Sequence, residues 1–169
     1  DALKNTIVIF TADNGTKGWK ASITKQRSVH VPFVVYAPGE KSLQRGEQNV
    51  ISDLTDLLPT LAEIMGVPLP SQEEYELSGQ SLWPYLTGKS KQHREWIYGY
   101  KGPSQMVRGA NLLRDGDGTW WDVSKMPANL DNFTRIEDFD SLTDTQRKEK
   151  AMLDEVLIRF AREDVGGPN

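Results

Sequence analysis

The sequence predicts an α/β fold, and three features along the chain support that prediction. Two short apolar segments, residues 7–10 and 31–36, are rich in β-branched and aromatic residues and are separated by a polar, basic loop. An apolar pattern with helical spacing follows at residues 57–65. Strand-like segments and a last helix complete the chain. A succession of strand, loop, strand and helix is typical of a sheet covered by helices.

The first apolar segment, Ile7 to Phe10, is predicted to be a strand buried on both faces, because a continuous apolar run is typical of such strands. A polar cluster, residues 11–15, follows it directly. In open α/β sheets, ligands bind at the carboxyl ends of strands. Asp13 and Asn14 offer a carboxylate and an amide oxygen, which are hard donors suited to calcium. Both are candidate metal ligands, and the alternative is a simple Asp-Asn-Gly turn.

The helix predicted at residues 57–65 has recognisable ends. Asp53 or Asp56 is the predicted cap, and Pro59 then lies in the first turn, where no amide hydrogen is required. Gly66 occupies the position of a left-handed C-terminal residue. A charged segment follows at residues 89–95 and is predicted to separate two domains, 1–92 and 93–169. His93 in this segment is predicted to be solvated.

The second domain is predicted to contain antiparallel strands and a terminal helix. Residues 96–100, 106–114 and 119–123 are the predicted strands, and Asp115-Gly-Asp-Gly118 forms a hairpin turn because its glycines can adopt positive φ. Thr143 and Gln146 match a capping box at the start of a helix over residues 144–162. Leu153, Val156, Leu157 and Phe160 line one face of that helix.

Composition excludes several classes of function. The net charge of −4 argues against a nucleic-acid-binding protein, which would normally carry a basic face. No apolar stretch approaches 18 residues, so no membrane span is predicted. The absence of cysteine excludes disulfides, thiolate zinc sites and thiol nucleophiles within these 169 residues.

Four motifs follow one another over residues 7–88. They are Ile-Val-Ile-Phe-Thr-Ala-Asp-Asn-Gly at 7–15, His-Val-Pro-Phe-Val-Val-Tyr-Ala-Pro-Gly at 30–39, Asp-Leu-Thr-Asp-Leu-Leu-Pro-Thr-Leu-Ala-Glu-Ile-Met-Gly-Val-Pro at 53–68, and Gly-Gln-Ser-Leu-Trp-Pro-Tyr-Leu-Thr-Gly at 79–88. Their order and spacing resemble the sulfatases of the alkaline-phosphatase superfamily. The resemblance implies that residues 1–92 are the C-terminal part of the sulfatase α/β core. Residues 93–169 then correspond to the small α+β C-terminal subdomain of antiparallel strands and a terminal helix.

The resemblance also implies a chemistry. Sulfatases hydrolyse sulfate esters with a formylglycine made from Cys or Ser in a C/S-x-P-x-R motif. That motif does not occur in this sequence. The chain is therefore expected to be the C-terminal portion of a sulfatase whose nucleophile lies upstream, and to be inactive alone.

The family pattern assigns expected roles to particular residues. Asp13 and Asn14 correspond to calcium ligands. Lys20 corresponds to a catalytic, substrate-binding lysine that contacts the sulfate and stabilises the leaving oxygen, with Lys17 and Lys25 as rival positions. His30 precedes Val-Pro at a position expected to be structural or to contact substrate.

Partners and location follow from the same resemblance. The expected substrate is a sulfate ester, with sulfated carbohydrate as the narrower expectation. The expected protein partner is the amino-terminal portion of the same protein, or a second copy of the chain. Periplasmic or secreted location is expected from the family alone.

Two other functions remain open from the sequence. The first is a metal-dependent phosphodiesterase or phosphonate hydrolase of the same superfamily, which would use zinc or manganese and more histidine ligands. The second is a non-catalytic carbohydrate-binding module. Its binding surface would be Trp120 or Trp121, which point to opposite faces of a predicted strand, one of them into the core.

Overall fold

The computed structural model describes residues 2–15, 30–70, 78–101, 103–125 and 133–160. The chain divides into two compact units. The first comprises Asp1–Ile9 and Val35–Glu95, and the second comprises Phe10–Val34 and Trp96–Asn169. The domain boundary expected between residues 92 and 93 stays a prediction.

In the first unit, helix α1 (Leu57–Met65) follows a 3-10 turn, Leu54–Asp56. Asp53 caps the turn by accepting a hydrogen bond from the backbone N–H of Thr55 at 2.8 Å. Asp56 completes a capping box by accepting from the N–H of Asp53 at 3.1 Å. Gly66 ends the helix with φ of +64°, which a residue without Cβ adopts at no steric cost. The predicted helix and both of its ends are confirmed.

Helix α2 (Trp83–Leu86) is a single turn held against α1 by a buried threonine. Thr60 Oγ1 donates to the carbonyl of Asp56 at 2.6 Å and accepts from the backbone N–H of Leu82 at 2.8 Å. Because Thr60 is almost fully buried, both bonds form away from water. One hydroxyl therefore fixes the distance between the two helices.

The first two strands, β1 (Val8–Thr11) and β2 (Phe33–Tyr36), form a two-stranded sheet. Exposed and half-buried residues alternate along both strands, as expected for side chains that point to opposite faces. The exposed set is apolar: Val8, Phe10, Val34 and Tyr36. The prediction that the first strand is buried on both faces is wrong for this chain, because the two-stranded sheet leaves one of its faces open.

The second unit contains a five-stranded antiparallel sheet in sequential order. Its strands are β3 (Ile97–Lys101), β4 (Ser104–Arg108), β5 (Leu112–Arg114), β6 (Trp120–Asp122) and β7 (Thr134–Arg135). Helix α3 (Asp144–Arg159) covers one face and begins with the predicted capping box of Thr143 and Gln146. The core between sheet and helix consists of Val107, Leu112, Trp120, Leu142, Leu153 and Val156. A smaller cluster on the opposite face consists of Met106, Leu113 and Val123.

The predicted hairpin turn at Asp115 to Gly118 is confirmed, and Gly118 has φ of +84°. The prediction of one strand over residues 106–114 is wrong, because β4 ends at Arg108 and β5 begins at Leu112. Glu149 on α3 holds the intervening turn by accepting from the backbone N–H groups of Asn111 and Leu112, both at 2.8 Å. This contact joins residues 37 and 38 positions apart, so no local pattern predicts it.

Candidate functional site

The candidate metal ligands Asp13 and Asn14 lie where the sequence places them, just after β1. Both are exposed. Asp13 Oδ1 accepts a hydrogen bond from the backbone N–H of Asn14 at 2.9 Å, and Asn14 Nδ2 donates to the carbonyl of Gly15 at 3.0 Å. The amide nitrogen of Asn14 is thus committed to the backbone, so Oδ1 is the atom that would ligate a cation.

The donor set at this strand end fits part of a hard-cation site. A carboxylate and an amide oxygen are typical calcium ligands, and calcium takes 6–8 oxygens. Within the ranges that the structure describes, no group of three or more His, Asp or Glu side chains could hold a metal ion. Asp13 and Asn14 alone would therefore supply only a minority of a calcium shell.

His30 lies just before β2 and is exposed. Partial desolvation of the imidazole lowers the pKa of His30 below the ordinary value of 6.5, and the positive charge of Arg108 lowers it further. The imidazole is therefore neutral at pH 7 and offers one donor and one acceptor. Lys20 and its rivals Lys17 and Lys25 lie outside the described residues.

A buried ionic cluster in the first unit was missed by sequence reasoning. His93 Nε2 lies 2.9 Å from Asp56 Oδ2, and the His93 side chain is only 3% exposed. Arg94 pairs with the same Asp56 carboxylate and donates to Asp53 Oδ2 at 2.8 Å. The prediction that His93 is solvated is wrong, because Asp56 provides a partner that local charge composition does not reveal.

The pKa of Asp56 is held below its ordinary value of 3.8 by this cluster. Burial is the largest single influence and acts to raise the pKa. Hydrogen bonds from His93 and from the backbone N–H groups of Gln80 and Asp53 outweigh it, with the charge of Arg94 adding to them. The cluster ties the start of α1 to residues 78–94, and we assign it a structural role.

Residues 1–67 match the protein family described as sulfatase. The chain is a partial sulfatase-like region. Human arylsulfatase A is 33% identical over 127 residues, which is 68% of this chain and 24% of that relative. A Δ4,5-hexuronate-2-O-sulfatase from Bacteroides thetaiotaomicron is 29% identical over 177 residues, which is 92% of this chain and 35% of that relative.

The sulfatase-like fold is also found by structural comparison. The chain superposes on a solved structure with a TM-score of 0.63 at 18% identity. That structure is of a Bacteroides thetaiotaomicron protein designated 6S-sulf, described in connection with the metabolism of multiple glycosaminoglycans. The match covers 93% of this chain and 39% of that structure. The chain thus spans about a quarter to two fifths of the length of the proteins it matches. Within the described residues, no helix has the length and apolar character to cross a bilayer.

Proposed function

We propose that this chain is part of a sulfuric ester hydrolase and supplies a portion of its calcium site. The observation that carries the proposal is the position of Asp13 and Asn14 at the end of β1, inside the segment that matches the sulfatase family. Two hard oxygen donors at a strand end are what a calcium site of an α/β enzyme needs from this element.

Each candidate residue has a distinct part in the proposed reaction. A bound divalent cation would supply Lewis-acid stabilisation of the negative charge on the sulfate and nucleophile. Asp13 and Asn14 would hold that cation. Lys20 would donate hydrogen bonds to the sulfate and stabilise the leaving oxygen, a role suited to a compact ammonium with three donors. His30, neutral at pH 7, would contact the substrate.

The remaining parts of the active site are proposed to lie in the amino-terminal sulfatase portion, which would carry the formylglycine nucleophile and the other metal ligands. The share of the relatives that this chain covers, 24% and 35%, supports this division. The hexuronate in the name of the Bacteroides relative supports sulfated carbohydrate as the substrate class. The open apolar face of β1 and β2 supports association with that portion or with a second copy.

The two alternative functions have less support. A zinc phosphodiesterase or phosphonate hydrolase would need histidine ligands, and Asn14 occupies the position next to Asp13 instead. For a carbohydrate-binding module, Trp120 is only 8% exposed, and its ring lies under the Lys150 ammonium. Trp121 donates its indole N–H to Asp115 at 2.8 Å and packs against the smaller cluster.

The test is hydrolysis of 4-nitrophenyl sulfate by a protein that joins this chain to an amino-terminal sulfatase portion. We expect calcium-dependent turnover, no turnover by the 169-residue chain alone, and a loss of at least about 100-fold in Asp13→Ala, because a metal contributes several kcal/mol of charge stabilisation. Asp117→Ala, which removes an exposed carboxylate from the hairpin turn, is the matched control. Turnover by the chain alone contradicts the proposal, and stoichiometric zinc favours the phosphodiesterase.

A further inference from the structure

Two loops of the first unit carry four exposed cations. Lys41 and Arg45 lie on the loop of residues 40–47, and Lys89 and Lys91 lie on the loop of residues 87–92 that follows α2. All four residues are exposed, and together they form what we call the basic surface. The whole chain has a net charge of −4, so this surface opposes the overall balance of charge.

Gln44 holds the two loops together. Its backbone N–H donates to the carbonyl of Leu86 at 2.8 Å, and its side-chain Nε2 donates to the carbonyl of Tyr85 at 2.5 Å. Gly88 lies beside the same side chain, because a Cβ added at Gly88 would be 3.9 Å from Gln44 Nε2. The loop of residues 40–47 is therefore in direct contact with the end of α2 and the loop that follows it.

The cations lie close to this contact. Arg45 directly follows Gln44 in the sequence, and Lys89 directly follows Gly88. Because consecutive Cα atoms are about 3.8 Å apart, each of these two cations is one such step from the contact between the loops. The other two cations are each three positions from the same contact, which is at most about 11 Å along the chain. The four charges therefore share one region of the surface.

The four cations are open to solvent and to a ligand. None of them forms an ion pair with another residue in the part of the chain that the structure describes. The two loops contain two carboxylates, Glu40 and Glu47. That of Glu40 accepts hydrogen bonds from the backbone N–H and the hydroxyl of Ser42, at 2.9 and 2.6 Å. An approaching polyanion would thus meet accessible positive charge in excess of the negative charge around it.

We propose that the basic surface docks a sulfated polysaccharide chain. Cations spread over two loops fit a ligand with repeated anionic groups, because a single exposed ion pair contributes little. A nucleic acid also carries repeated charges, but the net charge of −4 disfavours that partner. The substrate class is thereby narrowed from sulfate esters in general to chains that carry several sulfate groups. This inference rests on the proposed sulfatase function, but the binding can be measured without turnover.

The test is binding of a fluorescently labelled heparin oligosaccharide to the full 169-residue chain, followed by anisotropy at several salt concentrations. We expect binding that weakens as salt rises, because contacts with cations release counterions from the polyanion. Combining Arg45→Gln with Lys89→Gln should weaken binding at least about 10-fold at low salt and lower the slope of log affinity against log salt by about 2. An unsulfated maltooligosaccharide should not bind.

Three outcomes overturn the proposal. The first is equal affinity and equal salt slope in wild type and in the Arg45→Gln, Lys89→Gln variant. The second is a maltooligosaccharide that binds as tightly as the heparin oligosaccharide. The third is a DNA duplex that binds more tightly than heparin, which would assign the surface to a nucleic acid. A failed calcium or turnover assay would instead count against the proposed function alone.

Two control variants separate position and charge from folding. Lys125→Gln with Lys148→Gln removes the same charge from exposed positions of the second unit and should leave heparin affinity unchanged. An equal loss in this variant would show that only net charge matters and would contradict the assignment to the basic surface. Arg45→Lys with Lys89→Arg keeps both charges and should retain most of the affinity, since binding of this kind depends on charge. A loss as large as that of the neutral variant would mean that the two side chains act through packing, which the proposal does not allow.

Discussion

At the residue scale, the Asp56 carboxylate joins three segments of the first unit. It caps the start of α1, accepts from the backbone N–H of Gln80 at 2.8 Å, and pairs with the adjacent His93 and Arg94. Asp56 is 2% exposed, so these contacts are made in a medium of low dielectric constant. Such a carboxylate stabilises the fold only while every partner is present.

Replacing Asp56 by Asn should lower the free energy of unfolding by about 1.5–3 kcal/mol, because it removes a charged acceptor of buried hydrogen bonds and leaves Asp53 as the remaining charge partner of Arg94. Urea unfolding of the 169-residue chain measures the change. Asp154→Asn is the control, since Asp154 pairs with Lys150 at a partly exposed position and such pairs contribute about 1 kcal/mol or less. A similar loss in both variants would contradict the role of burial.

The lowered pKa of Asp56 also predicts a pH dependence. The folded state holds the carboxylate ionised below the ordinary pKa of 3.8, so the unfolded state binds its proton first as pH falls. The stabilisation from Asp56 is therefore complete above pH 3.8 and is lost as pH falls from there through the lower folded-state value. Unfolding measured between pH 5 and pH 2 should show this loss in wild type, and Asp56→Asn should lack that component.

At the element scale, the turn between β4 and β5 depends on contact with α3. A Cβ added at Gly109 would collide with Glu149 Oε1, the same oxygen that accepts from Asn111 and Leu112. The carboxylate is the end of a flexible side chain, but moving it would break the hydrogen bonds that close the turn. Glycine at position 109 is thus required by the approach of a helix rather than by backbone conformation.

Gly109→Ala should destabilise the chain by about 1–3 kcal/mol, the cost of leaving buried donors unsatisfied. In a Glu149→Ala background the same change should cost little, because the collision and the bonds are already absent. The double-mutant cycle in urea measures this coupling. Gly99→Ala is the control, where the new Cβ would lie 3.7 Å from Met106 Cε, an ordinary contact. Additive effects of Gly109→Ala and Glu149→Ala would rule out the coupling.

At the scale of the whole molecule, the open apolar face of the two-stranded sheet matters most. Phe10 is 61% exposed and Val34 is 55% exposed, although both belong to strands. A two-stranded sheet is marginally stable in water unless its apolar face is packed. Association through this face, as proposed above, would bury the surface that the chain itself leaves open.

The 169-residue chain should therefore self-associate in a concentration-dependent way in the absence of an amino-terminal partner. Sedimentation velocity should show that Phe10→Lys shifts the population toward monomer, since a charge on this face opposes its burial. Ile158→Lys provides the control, because Ile158 is 75% exposed on the outer side of α3. A wild-type chain that remains monomeric at high concentration would refute this prediction.

How much of the structure can be predicted from the sequence depends on how far apart along the chain the interacting residues lie. The ends of α1, the turn at Asp115 to Gly118 and the capping box of Thr143 were predictable, because each is set by residues within a few positions. The burial of His93 was not, because its partner Asp56 lies 37 positions away.

The candidate site follows the same rule. The position of Asp13 and Asn14 at a strand end follows from local pattern, whereas the pairing of Arg108 with Ile97 and Leu113 depends on the register of β3, β4 and β5. Register depends on which face each strand presents to the core, so a single segment does not reveal it.

The hydrogen bond between Trp121 and Asp115 gives the second unit an internal spectroscopic probe. The indole N–H of Trp121 donates to a buried carboxylate, so its proton should exchange slowly with water and have a distinct NMR resonance. The indole signal of Trp121 would therefore report the integrity of the hairpin between β5 and β6.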